Sequence, residues 1–283
     1  MNHLPHSFIA FSLTVAAAAA IEYPYPNPEP QQTGWPLTPE ERAYVVERPE
    51  HDRRPGREAN KHLPQFWPRV PSAGYFGSDA WLKLHEAHVK TVQANQGPLD
   101  VLLVGDSLTI QWAGAWATHF PCLKVVNIGI GGDKTQNVLW RLDHGGVAGI
   151  QPKAIVLMIG NNNMFFTPET GFEAAAKGIQ MCVANLREKF PAAEVIAAKI
   201  LPAHAPGIRF YEDIKKTNVA LDALRLDSDP KVHILDLWAD FTTADGALKS
   251  GLFSSDNIHL TQEGGYKVYA AKLKPLLERA LGK

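Results

Sequence analysis

From about residue 100 onward the apolar positions fall into short unbroken runs, separated by stretches in which they recur every three or four residues. The unbroken runs lie at 101–104, 124–128, 154–159, 194–198 and 232–236 and are rich in valine and isoleucine. Runs of that length and composition predict strands buried on both faces. The periodic stretches at 133–142, 171–189 and 211–226 predict helices between the strands, and a last helix spans about 262–281. Ahead of the first strand, Trp81, Leu82, Leu84, Ala87, Val89 and Val92 predict a helix over 79–95, closed by Gly97-Pro98. Strands that alternate with helices build a parallel sheet with helices on both faces. The chain carries no internal repeat.

The ends of these predicted strands are unusual. The first apolar run breaks at Gly105 into Asp106-Ser107-Leu108, and Thr109-Ile110-Gln111-Trp112 can begin a helix behind it. A serine there sits at the carboxyl edge of an open sheet, where such sheets hold their ligands. A capped turn is the alternative, since Asp and Ser favour helix N-caps. After the second strand come Asn127-Ile128-Gly129-Ile130-Gly131-Gly132-Asp133. Glycines before a helix let the backbone turn sharply and leave N–H groups facing outward. A phosphate loop would need a lysine that this segment lacks at the right spacing. After the third strand come Gly160-Asn161-Asn162-Asn163, either a turn tolerant of left-handed backbone or a side-chain amide donor on the same edge. Beyond the fifth strand, Ser255-Asp256-Asn257-Ile258-His259-Leu260-Thr261 puts a carboxylate and an imidazole near one turn. Alone, that turn reads as surface. It gains meaning only beside the serine, the glycine loop and the asparagines, because a carboxylate can fix the tautomer of a histidine that activates a serine.

Composition narrows the rest. The 283 residues allow one large domain or two small ones, and a hydrophobic content of 45% is enough for a full core. With 28 basic residues against 29 acidic ones, bulk electrostatics argue against a nucleic-acid partner. Eleven histidines occur without an HExxH pattern or a Cys/His cluster, so no metal site is expected. Cys122 and Cys182 read as buried small hydrophobes, and spacing alone does not decide whether they pair.

The first 77 residues differ in character. Residues 1–20 contain a short apolar segment followed by alanines, as in a secretory signal, although His3 and His6 stand where Lys or Arg is usual. An uncleaved anchor is the competing reading, against which the apolar run is short. The expected location is secreted or periplasmic. Residues 21–77 form a proline-rich extension, with Pro24, Pro26, Pro28 and Pro30 as a spacer and Thr38 capping one short helix. The basic segment 51–57 reads as a solvated loop. Trp35, Phe66, Trp67, Tyr75 and Phe76 are expected to pack onto the body, which would otherwise expose a sticky patch.

Taken together and in order, Gly-Asp-Ser-Leu at 105–108, the glycine loop, Gly-x-Asn-Asn at 160–163 and Asp-x-x-His at 256–259 resemble the blocks of the GDSL/SGNH hydrolase family. The segment 127–142 is similar, almost residue for residue, to the group of platelet-activating-factor acetylhydrolase catalytic (alpha) subunits. The resemblance runs from about residue 100 to the C-terminus and omits the first 75 or so. It implies a domain over 78–283 with a three-layer α/β/α sandwich of the flavodoxin-like kind and a five-stranded parallel sheet in the order 2-1-3-4-5. By position it implies Ser107 as nucleophile, His259 as general base and Asp256 as its orienter. The backbone N–H groups of Ser107 and Gly132 and the amide of Asn162 then form the oxyanion hole. Asn161 stands where the family often has threonine, and Asn161 or Asn163 could compete for the role of Asn162. No metal or organic cofactor is implied.

The function expected is hydrolysis of short-chain, foremost acetyl, carboxylic esters through an acyl-serine intermediate. An exported enzyme would meet acetylated glycans. The alternative is a lysophospholipase or phospholipid acylhydrolase with a longer apolar groove. The rival outside enzymology is a catalytically inactive carbohydrate-binding relative. The partners expected are a small-molecule or glycan ester, with no nucleic acid and no stable membrane insertion once a signal is removed; a homodimer is compatible with the sequence.

Overall fold

Five parallel strands pair in the order β2-β1-β3-β4-β5: β1 Gly97–Gly105, β2 Val125–Asn127, β3 Ile150–Met158, β4 Glu194–Ala198 and β5 Val232–Leu235. This computed structural model describes residues 78–165, 171–204 and 210–283; the expected signal and proline-rich extension lie outside the described residues. The helices are α1 Ser78–Ala94, α2 Ser107–Ile110, α3 Trp112–His119, α4 Thr135–Asp143, α5 Asn161–Phe165, α6 Gly171–Lys189, α7 Phe210–Ala223, α8 Trp238–Phe241 and α9 Gly265–Ala280. The order is the one expected. From β1 the chain first steps outward to β2, then returns past β1 to β3, β4 and β5. Right-handed crossovers therefore put α2 and α3, with α9, on one face and α4, α6 and α7 on the other. The reversal lies between β1 and β3, and the crevice beyond their carboxyl ends is where such sheets bind ligands.

The unbroken apolar runs follow from this layering. Val101, Leu103, Ala154, Val156 and Ile196 pack with Trp112, Trp116, Tyr266, Tyr269 and Leu273 in one core. Their neighbours Leu102, Ile155, Val195 and Ala197 are equally buried and point to the opposite face. Trp112 sits at the centre of the first core, edge-on to Tyr266 at 4.7 Å and to Trp116 at 5.5 Å.

Two boundaries differ from the pattern. Gly97-Pro98 opens β1 rather than merely ending α1. The Gly97 N–H donates to the Gly149 carbonyl at 3.0 Å, and Gly97 and Pro98 pair with Ile150 and Gln151 at the start of β3. Polarity at Asp100 hid this, because its carboxylate serves the surface instead, accepting from Lys153 at 2.9 Å and from the Lys124 N–H at 3.0 Å. Pro152 is tolerated within β3 because β4 begins to pair only at Ala154, so the proline has a strand on one side alone. Cys122 is exposed, Cys182 is buried, and both are free thiols. Among the described residues no helix is long and apolar enough to cross a membrane.

α1 is fastened to α4 by histidines. His85 is 1% exposed, lies edge-on to Trp140 at 5.1 Å and bonds the His144 carbonyl through Nε2 at 3.0 Å. Burial, followed by the nearby Arg141 charge, lowers His85 and His88 from 6.5 to about 4. An imidazole that ionises lower when folded leaves the unfolded chain with more protons between those values. The stability it confers is present above about pH 6.5 and is lost as pH falls toward 4. Thermal melts should therefore drop over that range, and His88→Gln should lose less of its midpoint on acidification than the wild type; equal losses would exclude His88 as a source.

Candidate active site

The serine is held at the sheet edge by the turn that starts α2. Asp106 is the N-cap, and its Oδ1 accepts the Leu108 N–H at 3.0 Å, so Ser107 begins the helix half-buried. Gly129 is needed behind this turn, because a Cβ there would stand 2.5 Å from the Ile110 nitrogen and 2.9 Å from the Asp106 carbonyl oxygen.

The histidine arrives from the other end of the chain on a tight loop. Phe253 and Leu260 close its neck as an antiparallel bridge, and Asn257 takes a left-handed φ of 56° at its tip. Within the loop, Asp256 Oδ2 lies 2.5 Å from His259 Nδ1, and His259 Nε2 lies 2.8 Å from Ser107 Oγ. The other carboxylate oxygen, Oδ1, accepts the N–H groups of Ile258 and His259, each at 3.0 Å, and the Ser254 hydroxyl at 2.8 Å. Partial burial works against ionisation, but the His259 bond and these donors outweigh it and hold Asp256 well below the usual carboxylate range. An ionised carboxylate only accepts, so Nδ1 carries the proton and Nε2 is left to accept from the serine.

The loop is registered against the serine by α9. The Tyr266 hydroxyl donates to the Leu108 carbonyl at 2.6 Å from a fully buried position. Neither Asp106 nor Asp236 faces the imidazole as an alternative orienter: Asp106 caps α2, and Asp236 accepts from Lys199 at 2.8 Å.

Opposite the histidine lie the ends of β2 and β3. Gly132 adopts a φ of 85° that suits glycine. Among the described residues no backbone acceptor meets the N–H of Gly132 or of Ser107. The three asparagines separate cleanly in space. Asn163 is fully buried, its Oδ1 accepting the Thr135 N–H at 3.1 Å and its amide donating to Thr135 Oγ1 at 3.1 Å. Asn161 is also buried, whereas Asn162 is half-exposed at the edge. The Asn162 amide donates to the Asp133 carbonyl at 2.9 Å, and its distance to Asp106 Oδ2 is a long 3.4 Å. The structure thus brings Ser107, His259 and Asp256 into contact, and sets Asn162 beside Asp106 at the same edge.

Beneath the edge is a buried ion pair that the sequence reading did not identify. Arg141 Nη2 and Nε bond Asp133 Oδ2 at 2.6 and 2.9 Å, and Nη1 bonds the Ile128 carbonyl at 2.7 Å. Its signal was an arginine among apolar helix positions, between Trp140 and Leu142. Asp106 is lifted to about 7, chiefly by burial and further by the Asp133 charge, against the bond from Leu108. Among the described residues no group of three or more His, Cys, Asp or Glu is arranged to hold a metal ion. A hydroxyl, imidazole and carboxylate in hydrogen-bond succession, facing outward-turned N–H groups, can carry out acyl transfer.

Comparison with known proteins agrees. Residues 103–266 match the family model described as the GDSL-like Lipase/Acylhydrolase family. The chain is 35% identical over 209 residues to platelet-activating factor acetylhydrolase IB subunit alpha2 of Rattus norvegicus, covering 71% of this chain and 84% of that one. It is 32% identical over 207 residues to the alpha1 subunit of Bos taurus, covering 72% and 85%. A solved GDSL-like lipase from Bacteroides thetaiotaomicron shares the fold with a TM-score of 0.59 at 19% identity, covering 70% of this chain and 98% of that one.

The buried pair yields a stability test. Arg141→Met removes the guanidinium from a fully buried carboxylate and should cost about 3–5 kcal/mol, measured by urea unfolding. A loss below about 1 kcal/mol would mean that Asp133 is satisfied without it.

Proposed function

The chain belongs to the GDSL-like lipase/acylhydrolase family and is a carboxylic ester hydrolase, and from that premise we propose that it removes short acyl groups, foremost acetyl, through an acyl-Ser107 intermediate. The observation that carries the reading is the Ser107–His259–Asp256 succession at 2.8 and 2.5 Å. His259 takes the Ser107 proton as the oxygen attacks the ester carbonyl, and Asp256 stabilises the imidazolium. The resulting oxyanion accepts from the N–H groups of Ser107 and Gly132 and from Asn162, whose amide turns from its long contact with Asp106. Collapse of the tetrahedral intermediate breaks the bond to the alcohol, which leaves with the proton from His259. Water, deprotonated by the same imidazole, then frees the acid and restores the serine.

The printed name of the curated relatives, acetylhydrolase, supports acetyl as the group removed. The apolar, alanine-rich start of the chain supports export, and export favours acetylated glycans as substrates. A carbohydrate-binding protein without chemistry would have no need of this hydrogen-bonded succession.

Ser107→Ala should abolish turnover of p-nitrophenyl acetate while leaving the melting temperature nearly unchanged. A fluorophosphonate should label Ser107 and no other serine. Asp256→Asn should depress kcat by a large factor and leave KM within a few-fold, since no ground-state contact is lost. Asn162→Ala should lower kcat on the order of 10²–10³ if its amide meets the oxyanion. Across p-nitrophenyl esters from acetyl to dodecanoyl, assayed beside an acetylated xylan, rates should be highest at acetyl; a maximum at long chains would replace this reading with a phospholipid acylhydrolase.

A further inference from the structure

The two oxygens of the Asp256 carboxylate are treated differently, and one of the donors that divides them is a side chain outside the catalytic succession. Oδ2 faces His259 Nδ1, while Oδ1 collects two backbone N–H groups and the Ser254 hydroxyl. The backbone donors belong to the turn itself and come with any sequence that folds this way. The hydroxyl does not. Ser254 is itself fixed at the neck of the loop, its N–H donating to the His259 carbonyl at 2.8 Å and its carbonyl accepting the Asn257 N–H at 3.0 Å. Its hydroxyl therefore stands in one place, between Asp256 Oδ1 at 2.8 Å and the His259 carbonyl at 3.1 Å. It has a single proton to give. The carboxylate is nearer and charged, so it takes the greater share of that proton.

We propose that Ser254 is a positioning residue for the ester hydrolysis, its hydroxyl locking the rotation of the Asp256 carboxylate so that Oδ2 stays aimed at His259 Nδ1. The lock matters because the Asp256 side chain is 45% exposed, and the hydroxyl at 2.8 Å is nearer to Oδ1 than either backbone N–H at 3.0 Å. A carboxylate free to rotate would alternate its oxygens and admit water between itself and the imidazole. The serine also spans both members of the pair, since its N–H grips the main chain of His259 while its hydroxyl grips the side chain of Asp256. It is not a second nucleophile: its hydroxyl meets a carboxylate and a carbonyl, and no imidazole.

The inference rests on the acyl-serine reading above, and the test keeps the two apart. Ser254→Ala should lower kcat for p-nitrophenyl acetate about ten-fold, the scale of one hydrogen bond to a charged group, with KM unchanged. Ser254→Thr, which restores a hydroxyl at the same position, should recover most of the loss. The downfield proton resonance of the His259 Nδ1–H, identified by its absence in Asp256→Asn, should shift or broaden in Ser254→Ala and return in Ser254→Thr. A kcat within two-fold of wild type (about 0.4 kcal/mol) with an unmoved resonance would overturn the proposal. So would a lowered melting temperature with full activity per folded molecule, which marks a merely structural residue. Activity retained in Ser107→Ala would instead remove the parent reading, whatever Ser254 does.

Discussion

A hydrogen bond from the Tyr266 hydroxyl to the Leu108 carbonyl, 2.6 Å long and fully buried, joins the last helix to the one that begins with Ser107. The serine and the histidine lie 152 positions apart in the chain, so no local structure sets their distance. The contact between them is half-exposed and worth little by itself. What fixes it at 2.8 Å is the rigid seating of α9 on the sheet, with Trp112 wedged against Tyr266 and Tyr269 at 4.7 and 5.0 Å. A loop of this length is costly in entropy to close, and the aromatic core supplies the offset. The loop that carries Asp256 and His259 then needs to hold only its own short span, from the bridge at Phe253 and Leu260 to its tip at Asn257.

The opposite side of the site rests on charge rather than on aromatic packing. Arg141 reaches from α4 to Asp133 and to the Ile128 carbonyl, tying the loop after β2 to the helix it introduces. A buried pair of this kind is poor evidence for net stability, since its partners give up their hydration. It is strong evidence for specificity of shape, because the loop carrying Gly132 has one arrangement in which every atom of the guanidinium fork is used. Asn163 does the same from α5, just past the third strand, by binding the start of α4. The edge that faces a substrate is therefore backed by bonds that leave its outward N–H groups alone.

The fold was legible in the sequence because a parallel sheet covered on both faces needs unbroken apolar strands, and glycines mark where the first three stop. Errors fell where polarity and pairing disagree. The start of β1 reads as a helix stop, since Gly97-Pro98 carries that signal and only the partner strand reveals the ladder. The last helix begins at Gly265 rather than at 262, because Thr261 Oγ1 accepts the Gly265 N–H at 3.1 Å and the residues between form a turn. The residues brought into contact were legible as blocks, each weak and all four strong together. What no block carries is direction. Three consecutive asparagines look alike in sequence, and their separation into two buried side chains and one edge amide follows from the twist of a single helical turn. Tyr266, Arg141 and Ser254 were missed because their partners are main-chain carbonyls or carboxylates whose pairing only the folded loops set.

Two carboxyl groups flank the site, and their surroundings drive them in opposite directions. Asp256 sits near water behind the imidazole, where donors favour its charge. Asp106 is 1% exposed beside Asn162, where burial and the Asp133 charge lift it to about 7. Under the mechanism proposed above the division suits acyl transfer, because negative charge behind His259 would stabilise the imidazolium, whereas negative charge beside Asn162 would oppose an oxyanion. Burial thus favours the neutral form of Asp106, whose Oδ1 caps α2. The sign for stability follows from the same shift. A carboxyl raised from 3.8 to about 7 binds its proton more tightly in the folded chain, so what it contributes is present below the lower value and is lost as pH rises toward the upper one. The buried histidines of α1 act in the reverse sense from 4 to 6.5. The two contributions therefore oppose each other across the same span, Asp106 favouring its acid end and the histidines its neutral end.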